Sequence, residues 1–307
     1  MNELHVGRGT SRGAMTVFPL WGATSGYRRY TVGAGSGLDI TEVVEDEPQV
    51  DTLLVGNPGD RPALVLEGTL FEGGWQHRMA CHSVMVGVHQ RIPVEVACVE
   101  RGRWGGTSRQ NTQGRRATPY VRDSVRRGGD VQEEVWNRVA VHTQDVGVPT
   151  PGRRLSHSDL QWVRHTPPPG NPTASFVHRL DRAQDERNAW SSLRVLPGQI
   201  GVLIGISGQP YIAEVFDFPS RLRRQLPDLL QAAALDALGM PNIATPSRRA
   251  HRFIDRLERV ELTRVAPAGV AERLSGASEY VDMSRLQWQG QDVHARMTNV
   301  RHPMLAG

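Results

Sequence analysis

The segment from Pro62 to Trp104 constrains the fold more strongly than any other part of the chain. It contains three apolar runs of strand length, at 63–66, 83–88 and 94–99, and polar turns separate them. Short runs rich in valine and leucine, bounded by glycine and charged residues, are typical of buried β-strands. Carboxylates, an amide, arginines and tryptophans stand at the strand ends, where a rigid sheet can hold them. The pattern predicts a β-sheet that carries a polar site.

The composition is that of an ordinary folded protein. The chain has 307 residues, of which 38% are hydrophobic and 22% are charged, and this balance favours neither a disordered chain nor a membrane protein. No apolar run approaches the roughly 18 residues that a bilayer span needs, and residues 1–10 lack the apolar segment of a signal peptide. We therefore expect a cytoplasmic protein without a membrane partner.

The basic residues are unusual in kind. All 36 are arginine, and the formal net charge is +4. Arginine presents a fixed charge and a planar fork that suits carboxylates and phosphates. The small net charge fits an anionic small ligand and does not favour a nucleic-acid binder. The only cysteines, Cys81 and Cys98, fall in adjacent predicted strands, and buried free thiols are preferred to a disulfide.

The order of the predicted elements indicates an α+β fold. Strand patterns dominate both ends of the chain and helical patterns dominate its middle, so we expect an antiparallel-rich β-sheet core, a helical middle segment and a C-terminal β-hairpin. Strands are predicted at 15–20, 40–44, 50–55, 261–265, 278–282, 285–288 and 293–297, with a hairpin at 198–216. Helices are predicted at 131–144, 174–193, 219–238 and 248–260.

Residues 1–307 are predicted to form a single domain with two irregular segments. The segment at about 105–130 is rich in arginine and glycine, which is typical of a mobile, solvated loop. A second interpretation is an arginine-bearing lid that closes on an anionic ligand. The proline-rich stretch at about 166–172 has the composition of a linker.

Familiar cofactor motifs are missing from the sequence. The glycine-rich run at 198–207 does not open a helix with G-x-G-x-x-G, so we reject a dinucleotide-binding fold. The one G-x-S-x-G match, GTSRG at 9–13, falls in a glycine- and arginine-rich turn before the first predicted strand and not at a strand-to-helix elbow, so it does not support a serine nucleophile. His77, Cys81 and His82, with His89 nearby, do not match a zinc spacing. No metal site is predicted, and the cofactor is left unknown.

The polar turns of the central segment supply the candidate chemistry. Two carboxylates at a strand-end cleft can hydrolyse an N-glycosidic bond, one by activating water and one by stabilising positive charge. Arginines would hold a pyrophosphate, and a tryptophan would stack on a base. The alternative for Glu100 is a structural ion pair with Arg101 or Arg103. The available carboxylates are Glu67, Glu72 and Glu100, and the stacking candidates are Trp75 and Trp104.

The same segment resembles the ARPP domain family, which is named for its genomic association with ADP-ribosylglycohydrolase and rhodanese-phosphatase proteins. The resemblance is carried by VFPL at 17–20, LVLEG at 64–68, GGWQHR at 73–78, CVERGRW at 98–104 and Gln132 with the Val135-Trp136 pair. One departure is WQHR at 75–78, where the family typically has Lys-Gln-Asn-Arg. The resemblance implies a link to ADP-ribose or NAD-derived nucleotides and carries over no mechanism.

Together, these observations give a functional hypothesis and an alternative. The hypothesis is an enzyme, a hydrolase acting on an ADP-ribose- or NAD-derived nucleotide, and the alternative is a non-catalytic nucleotide-sensing or protein-interaction module. Self-association is left open. We expect the turn at 67–78 to face the turn at 100–104 across one cleft beside the helix at 131–144. The catalytic candidates are Glu67, Glu100 and His294, and the ligand-binding candidates are Gln76, Arg78, Arg101, Arg103, Trp104, Gln132 and Trp136.

Overall fold

A computed structural model describes most of the chain. The described residues are 3–24, 29–44, 48–102, 105–143, 176–183 and 188–306. The predicted proline-rich linker lies outside them, as do Arg103 and Trp104. No helix among the described residues is long and apolar enough to cross a membrane.

Within these residues the elements alternate between short strands and a few helices, as expected for an α+β fold. The strands are β1 (His5–Val6), β2 (Thr10–Arg12), β3 (Met15–Trp21), β4 (Thr31–Val32), β5 (Asp39–Val44), β6 (Pro48–Gly56), β7 (Ala63–Val65), β8 (Leu70–Gly73), β9 (Arg78–Ala80), β10 (Val84–Val86), β11 (Arg91–Cys98), β12 (Arg109–Asn111), β13 (Gly201–Ile206), β14 (Gln209–Phe216), β15 (Thr263–Ala268), β16 (Ala271–Ala277), β17 (Val281–Trp288) and β18 (Gln291–Asn299). The α-helices are α1 (Pro119–Arg122), α2 (Val131–Thr143), α3 (Phe176–Arg182), α4 (Pro219–Asp236) and α5 (Ser247–Asp255), and 3-10 turns occupy Ala34–Ser36, Asp123–Arg127 and Arg256–Arg259.

The larger sheet joins the N-terminal strands to the C-terminal half of the chain. Its order is β1-β3-β13-β14-β18-β17-β16-β15, and β2 pairs with β3. The hairpins β13–β14 and β17–β18 turn at Ser207-Gly208 and Gln289-Gly290, where all four residues have positive φ. Two consecutive residues with positive φ match the twist of the flanking strands, which is why glycine stands at the second position of each turn. The predicted C-terminal hairpin is confirmed.

The central segment closes into a small barrel instead of an open sheet. The barrel order is β11-β6-β5-β12-β8-β9, and a separate three-stranded sheet has the order β10-β7-β4. The stretch at 67–78 was predicted as a polar turn, but it contains β8 and the start of β9, whose residues Leu70 and Met79 are paired and fully buried. The prediction missed these strands because each is only three or four residues long.

The helices cover the barrel and the larger sheet. Helix α2 begins as its sequence predicts, because the Asp130 carboxylate accepts a hydrogen bond from the Glu133 backbone N–H at 3.0 Å. Helix α4 runs through Pro227 without ending. Helix α5 contributes Ala250, Phe253 and Ile254 to a core cluster on one side of the larger sheet.

The segment at 105–130 is exposed at its two ends, residues 105–109 and 128–130, but its middle part is folded and largely buried. It contains β12 and α1, and α1 starts where Pro119 follows the N-cap Thr118, whose hydroxyl accepts from Val121 N–H at 3.3 Å. Arg116 and Arg122 are buried and form ion pairs with Glu214. The many arginines suggested a solvated segment, but a buried carboxylate pairs with Arg116 and Arg122. These two arginines therefore cannot act in a lid over a ligand.

Candidate functional site

Two turns meet at one end of the barrel. The first joins β8 to β9, and the second follows β11. The His77 backbone N–H donates to a Glu100 carboxylate oxygen at 3.2 Å, and the Val99 N–H donates to the His77 carbonyl at 3.0 Å. Residues 74–77 therefore lie directly against the turn that begins at Glu100. We call this end of the barrel, with His77, Glu100, Arg101 and Trp136, the barrel mouth.

The histidine and the glutamate of the barrel mouth are oriented by their surroundings. His77 Nδ1 accepts a hydrogen bond from the Gly73 N–H at 2.9 Å, so in the neutral ring the proton is on Nε2. His77 Nε2 lies 3.8 Å from a Glu100 carboxylate oxygen. The two side chains are 16% and 15% exposed, so a solute can reach them. The pair presents a carboxylate with an N–H donor beside it.

Helix α2 forms one wall of the barrel mouth. The Gln132 side-chain amide donates to the Cys98 carbonyl and accepts from the Cys98 N–H, both at 2.8 Å. These two bonds take the place of a neighbouring strand at the end of β11. The side-chain amide of Gln132, which was predicted to bind ligand, therefore attaches helix α2 to the barrel. Trp136 lies one helical turn further along, and the Arg101 guanidinium carbon is 5.1 Å from its ring centroid.

The Cys98 thiol lies behind this wall. Its Sγ atom is 3.1 Å from the Glu100 carbonyl oxygen. Burial raises the pKa of Cys98, while the hydrogen bond with Glu100 and the indole of Trp136 act in the opposite direction. Cys81 is also buried and free. Both thiols are packing residues, as the sequence favoured.

The barrel interior below the mouth is polar and centred on Glu42. Its Oε1 atom accepts from the Trp75 N–H at 3.1 Å and from the Gln110 side-chain amide at 2.9 Å. Its Oε2 atom lies 3.2 Å from Nη2 of Arg78, a side chain with 0% exposure. Arg78 and Gln76 were predicted to bind ligand, but both side chains are buried, and Arg78 also donates to the Gln49 and Val50 carbonyls.

Glu42 and Gln110 are site residues that the sequence reasoning missed. Glu42 stands two residues after the buried Ile40 on β5, so the two side chains share the inward face of that strand. An acid at an inward position of an apolar strand is the signal that was available. For Gln110, on the short strand β12, the sequence offered no comparable signal.

A second polar cluster lies at the other end of the β8–β9 hairpin. Its members lie against the barrel on one side and the larger sheet on the other, and we call it the buried cluster. His294 Nε2 is 3.1 Å from a Glu214 oxygen, and His294 Nδ1 is 3.3 Å from Ser83 Oγ. Ser83 Oγ also accepts the Glu67 backbone N–H at 3.0 Å. The remaining members are Arg116, Arg122, Asp282 and Arg296.

The charges of the buried cluster are internally paired. Burial alone would raise the pKa of Glu214, but the charges of Arg116 and Arg122 and the hydrogen bond from His294 hold that pKa well below its usual range. Burial lowers the pKa of His294, which favours the neutral ring, although the Glu214 carboxylate opposes this shift. The cluster therefore contains an ionised glutamate and a neutral histidine.

The serine, histidine and glutamate are connected in the order of a catalytic triad, but they do not form an accessible site. Each of them is buried. The space bordered by Arg122 and Glu214 is too narrow for a water molecule. Glu214 is neutralised by two arginines, which weakens its support for a charged histidine. The arrangement acts as a polar core between the barrel and the sheet.

The expected cleft with two catalytic carboxylates is not formed. Glu67 accepts a hydrogen bond from Arg296 Nε at 3.1 Å inside the buried cluster. The adjacent Gly68 pairs with Ala80 at the start of β8, whereas Glu100 contacts the hairpin at its opposite end. Sequence reasoning grouped Glu67 with Glu100 because it treated 67–78 as one turn instead of two strands. His294, the third catalytic candidate, lies with Glu67 and not with Glu100.

The other polar candidates have defined places. Glu72 accepts a hydrogen bond from Arg115 Nε at 2.8 Å, and Arg115 also contacts Asp181. His82 lies 3.5 Å from Glu95, and burial together with the nearby Arg273 lowers its pKa to about 3. Among the described residues, no three His, Cys, Asp or Glu side chains are grouped to hold a metal ion.

Comparison with known proteins supports the resemblance seen in the sequence. The family model described as the ARG and Rhodanese-Phosphatase-superfamily-associated Protein domain matches residues 3–298. This family is associated with the ADP-ribosylglycohydrolase and rhodanese-phosphatase superfamilies. No curated protein and no solved structure matched the chain. Because the match extends over nearly the whole sequence, the chain belongs to the ARG and Rhodanese-Phosphatase-superfamily-associated Protein domain family.

Proposed function

We propose that the chain binds and hydrolyses an ADP-ribose- or NAD-derived nucleotide at the barrel mouth. The observation that carries this proposal is the partly exposed Glu100 carboxylate, with His77 Nε2 at 3.8 Å and the Arg101 and Trp136 side chains on the adjoining wall. The association of the family with ADP-ribosylglycohydrolase proteins supports the choice of ligand.

Each residue of the barrel mouth has a role in this proposal. Glu100 binds the ribose and activates the attacking water as a general base. His77 is a positioning residue, because its Nε2–H lies 3.8 Å from the Glu100 carboxylate and its backbone N–H donates to the same group. Arg101 pairs with a phosphate of the nucleotide. It follows Glu100 in the sequence, and its guanidinium lies at the barrel mouth against Trp136. Glu42 and Gln110 hold the turn that carries Trp75 and His77.

A second function is favoured by one specific observation. Glu67 belongs to the buried cluster, so the barrel mouth has no second carboxylate from that position. Hydrolysis of glycosidic bonds ordinarily uses two carboxylates. A module that binds the nucleotide without cleaving it is therefore the alternative to the enzyme.

One experiment separates the two functions. Thermal shifts of the wild type and Glu100→Gln would be measured with ADP-ribose and NAD, and products would be analysed by chromatography. An enzyme gives turnover in the wild type and none in Glu100→Gln, with binding retained in both. A sensor gives a thermal shift without turnover in either protein. If neither nucleotide raises the melting temperature at about a hundred times any plausible dissociation constant, where about 2.7 kcal/mol of stabilisation is expected, the proposal is wrong.

A further inference from the structure

We infer that the face of Trp136 that Arg101 covers is a stacking platform for the base of the bound nucleotide, and that the base displaces Arg101. This inference rests on the proposed function, because it names the part of the ligand that each side of the barrel mouth recognises. It assigns the sugar to the side with Glu100 and a neutral, planar purine to the side with Trp136.

The position of Trp136 is fixed by the backbone beneath it. Gln132 is tied to both backbone polar groups of Cys98 by hydrogen bonds of 2.8 Å. Residues four apart lie on the same face of a helix, so Trp136 stands above Gln132 and faces the turn that follows Cys98. The Arg101 guanidinium at 5.1 Å from the ring centroid confirms that the ring face points to this turn. A fixed aromatic face therefore lies against the turn that contains Glu100 and Arg101.

Arg101 is a side chain that a base can replace. It is only partly buried, and it is followed by Gly102 with φ of 90° in the turn. An exposed cation–π contact strengthens an association by about two- to five-fold, whereas stacking of a base on an aromatic side chain contributes roughly 5- to 150-fold. The stronger interaction prevails, so the base takes the ring face and the released guanidinium can turn to a phosphate.

The test measures binding by calorimetry with ADP-ribose and with ribose 5-phosphate, which lacks the base. In the wild type, ADP-ribose should bind at least tenfold more tightly. Trp136→Leu should remove this preference, and Trp136→Phe, which keeps an aromatic face, should retain most of it. Trp21→Phe, on the larger sheet, is the matched control and should behave as the wild type. Arg101→Ala should retain the preference for ADP-ribose while weakening both ligands through the phosphate.

The remaining outcomes contradict either the stacking platform or the proposed function. If Trp136→Leu keeps the full preference for ADP-ribose, the platform is elsewhere and this inference is wrong, while the proposed function stands. If ribose 5-phosphate binds as tightly as ADP-ribose in the wild type and Glu100→Gln changes both affinities equally, the base is not recognised and only this inference fails. If neither ligand binds the wild type, the proposed function fails and the inference fails with it. Circular dichroism of Trp136→Phe and Trp136→Leu verifies that both variants are folded.

Discussion

The Nε2 atom of His294 lies 3.1 Å from a carboxylate oxygen of Glu214, and the opposite ring nitrogen reaches Ser83 at 3.3 Å. Glu214 and His294 belong to neighbouring strands of the larger sheet, β14 and β18, whereas Ser83 follows β9 of the barrel. The histidine thus connects the sheet to the barrel through a neutral ring. Because Arg116 and Arg122 also contact Glu214, this carboxylate is one of the points at which the N-terminal and C-terminal halves of the fold are joined.

The first prediction concerns the removal of this charge. Glu214→Gln should lower the free energy of unfolding by about 3–5 kcal/mol, because it leaves two buried arginines without their carboxylate. Urea denaturation followed by circular dichroism measures this loss. Glu279→Gln is the matched control, since Glu279 is 61% exposed and pairs with the exposed Arg301. The control should change stability by less than about 1 kcal/mol. Equal effects of the two substitutions would show that the buried cluster is not a structural centre.

The second prediction concerns the pH dependence of stability. His302 Nε2 bonds to the Ile206 carbonyl and Nδ1 accepts the Met304 N–H, so the buried ring is held as one neutral tautomer. Burial lowers its pKa from 6.5 to about 4. Below pH 6.5 the unfolded chain takes up a proton that the folded chain does not, so stability falls as the pH decreases towards about 4.

The size of this effect follows from the shift. A difference of this magnitude between the folded and unfolded pKa corresponds to about 3 kcal/mol across the full window. Unfolding free energies at pH 7, 6 and 5 should decrease less steeply in His302→Gln than in the wild type. The comparison stays above the range in which carboxylates titrate. Parallel pH profiles for the two proteins would contradict a buried, neutral His302.

The sequence predicted the strands that carry strong local patterns. Leu203 and Ile204 belong to a continuous aliphatic run, and β13 was found where that run predicts it. The helix at 131–144 was equally clear, because Asp130 caps an apolar repeat. Short strands such as β9 were missed, because three residues give too few alternations to reveal a period.

Part of the candidate site was predicted from the sequence, and the rest was missed because it depends on contacts between distant parts of the chain. The turns that carry His77 and Glu100 meet as expected, although His77 itself was not among the predicted site residues. Glu67 and Arg116 were misjudged because the sequence does not reveal which charges meet across the fold. Glu67 pairs with Arg296, and Arg116 pairs with Glu214, each from the opposite half of the chain. Such pairs are created by tertiary contacts and have no local signature.

The third prediction tests the attachment of helix α2 to the barrel. Gln132→Ala should lower the free energy of unfolding by about 1–3 kcal/mol, because it leaves the Cys98 N–H and C=O without their partners. It should also weaken nucleotide binding, since Trp136 loses its fixed position. Asn137→Ala removes an amide from the same helix and leaves both Cys98 bonds intact. Loss of binding without any loss of stability in Gln132→Ala would instead indicate direct contact between Gln132 and the ligand.

The last prediction concerns the two thiols. Cys81 and Cys98 are 1% and 0% exposed, and burial raises the pKa of each above its ordinary value. Because the thiolate is the reactive form, the native protein should not react with Ellman's reagent at pH 8 over minutes, and both thiols should react on addition of guanidinium. Glu214→Gln should accelerate the native-state reaction, since a weaker junction between barrel and sheet opens more often and exposes the barrel strands. Rapid labelling of one thiol in the native wild type would show that its strand is accessible, and mass spectrometry would identify which one.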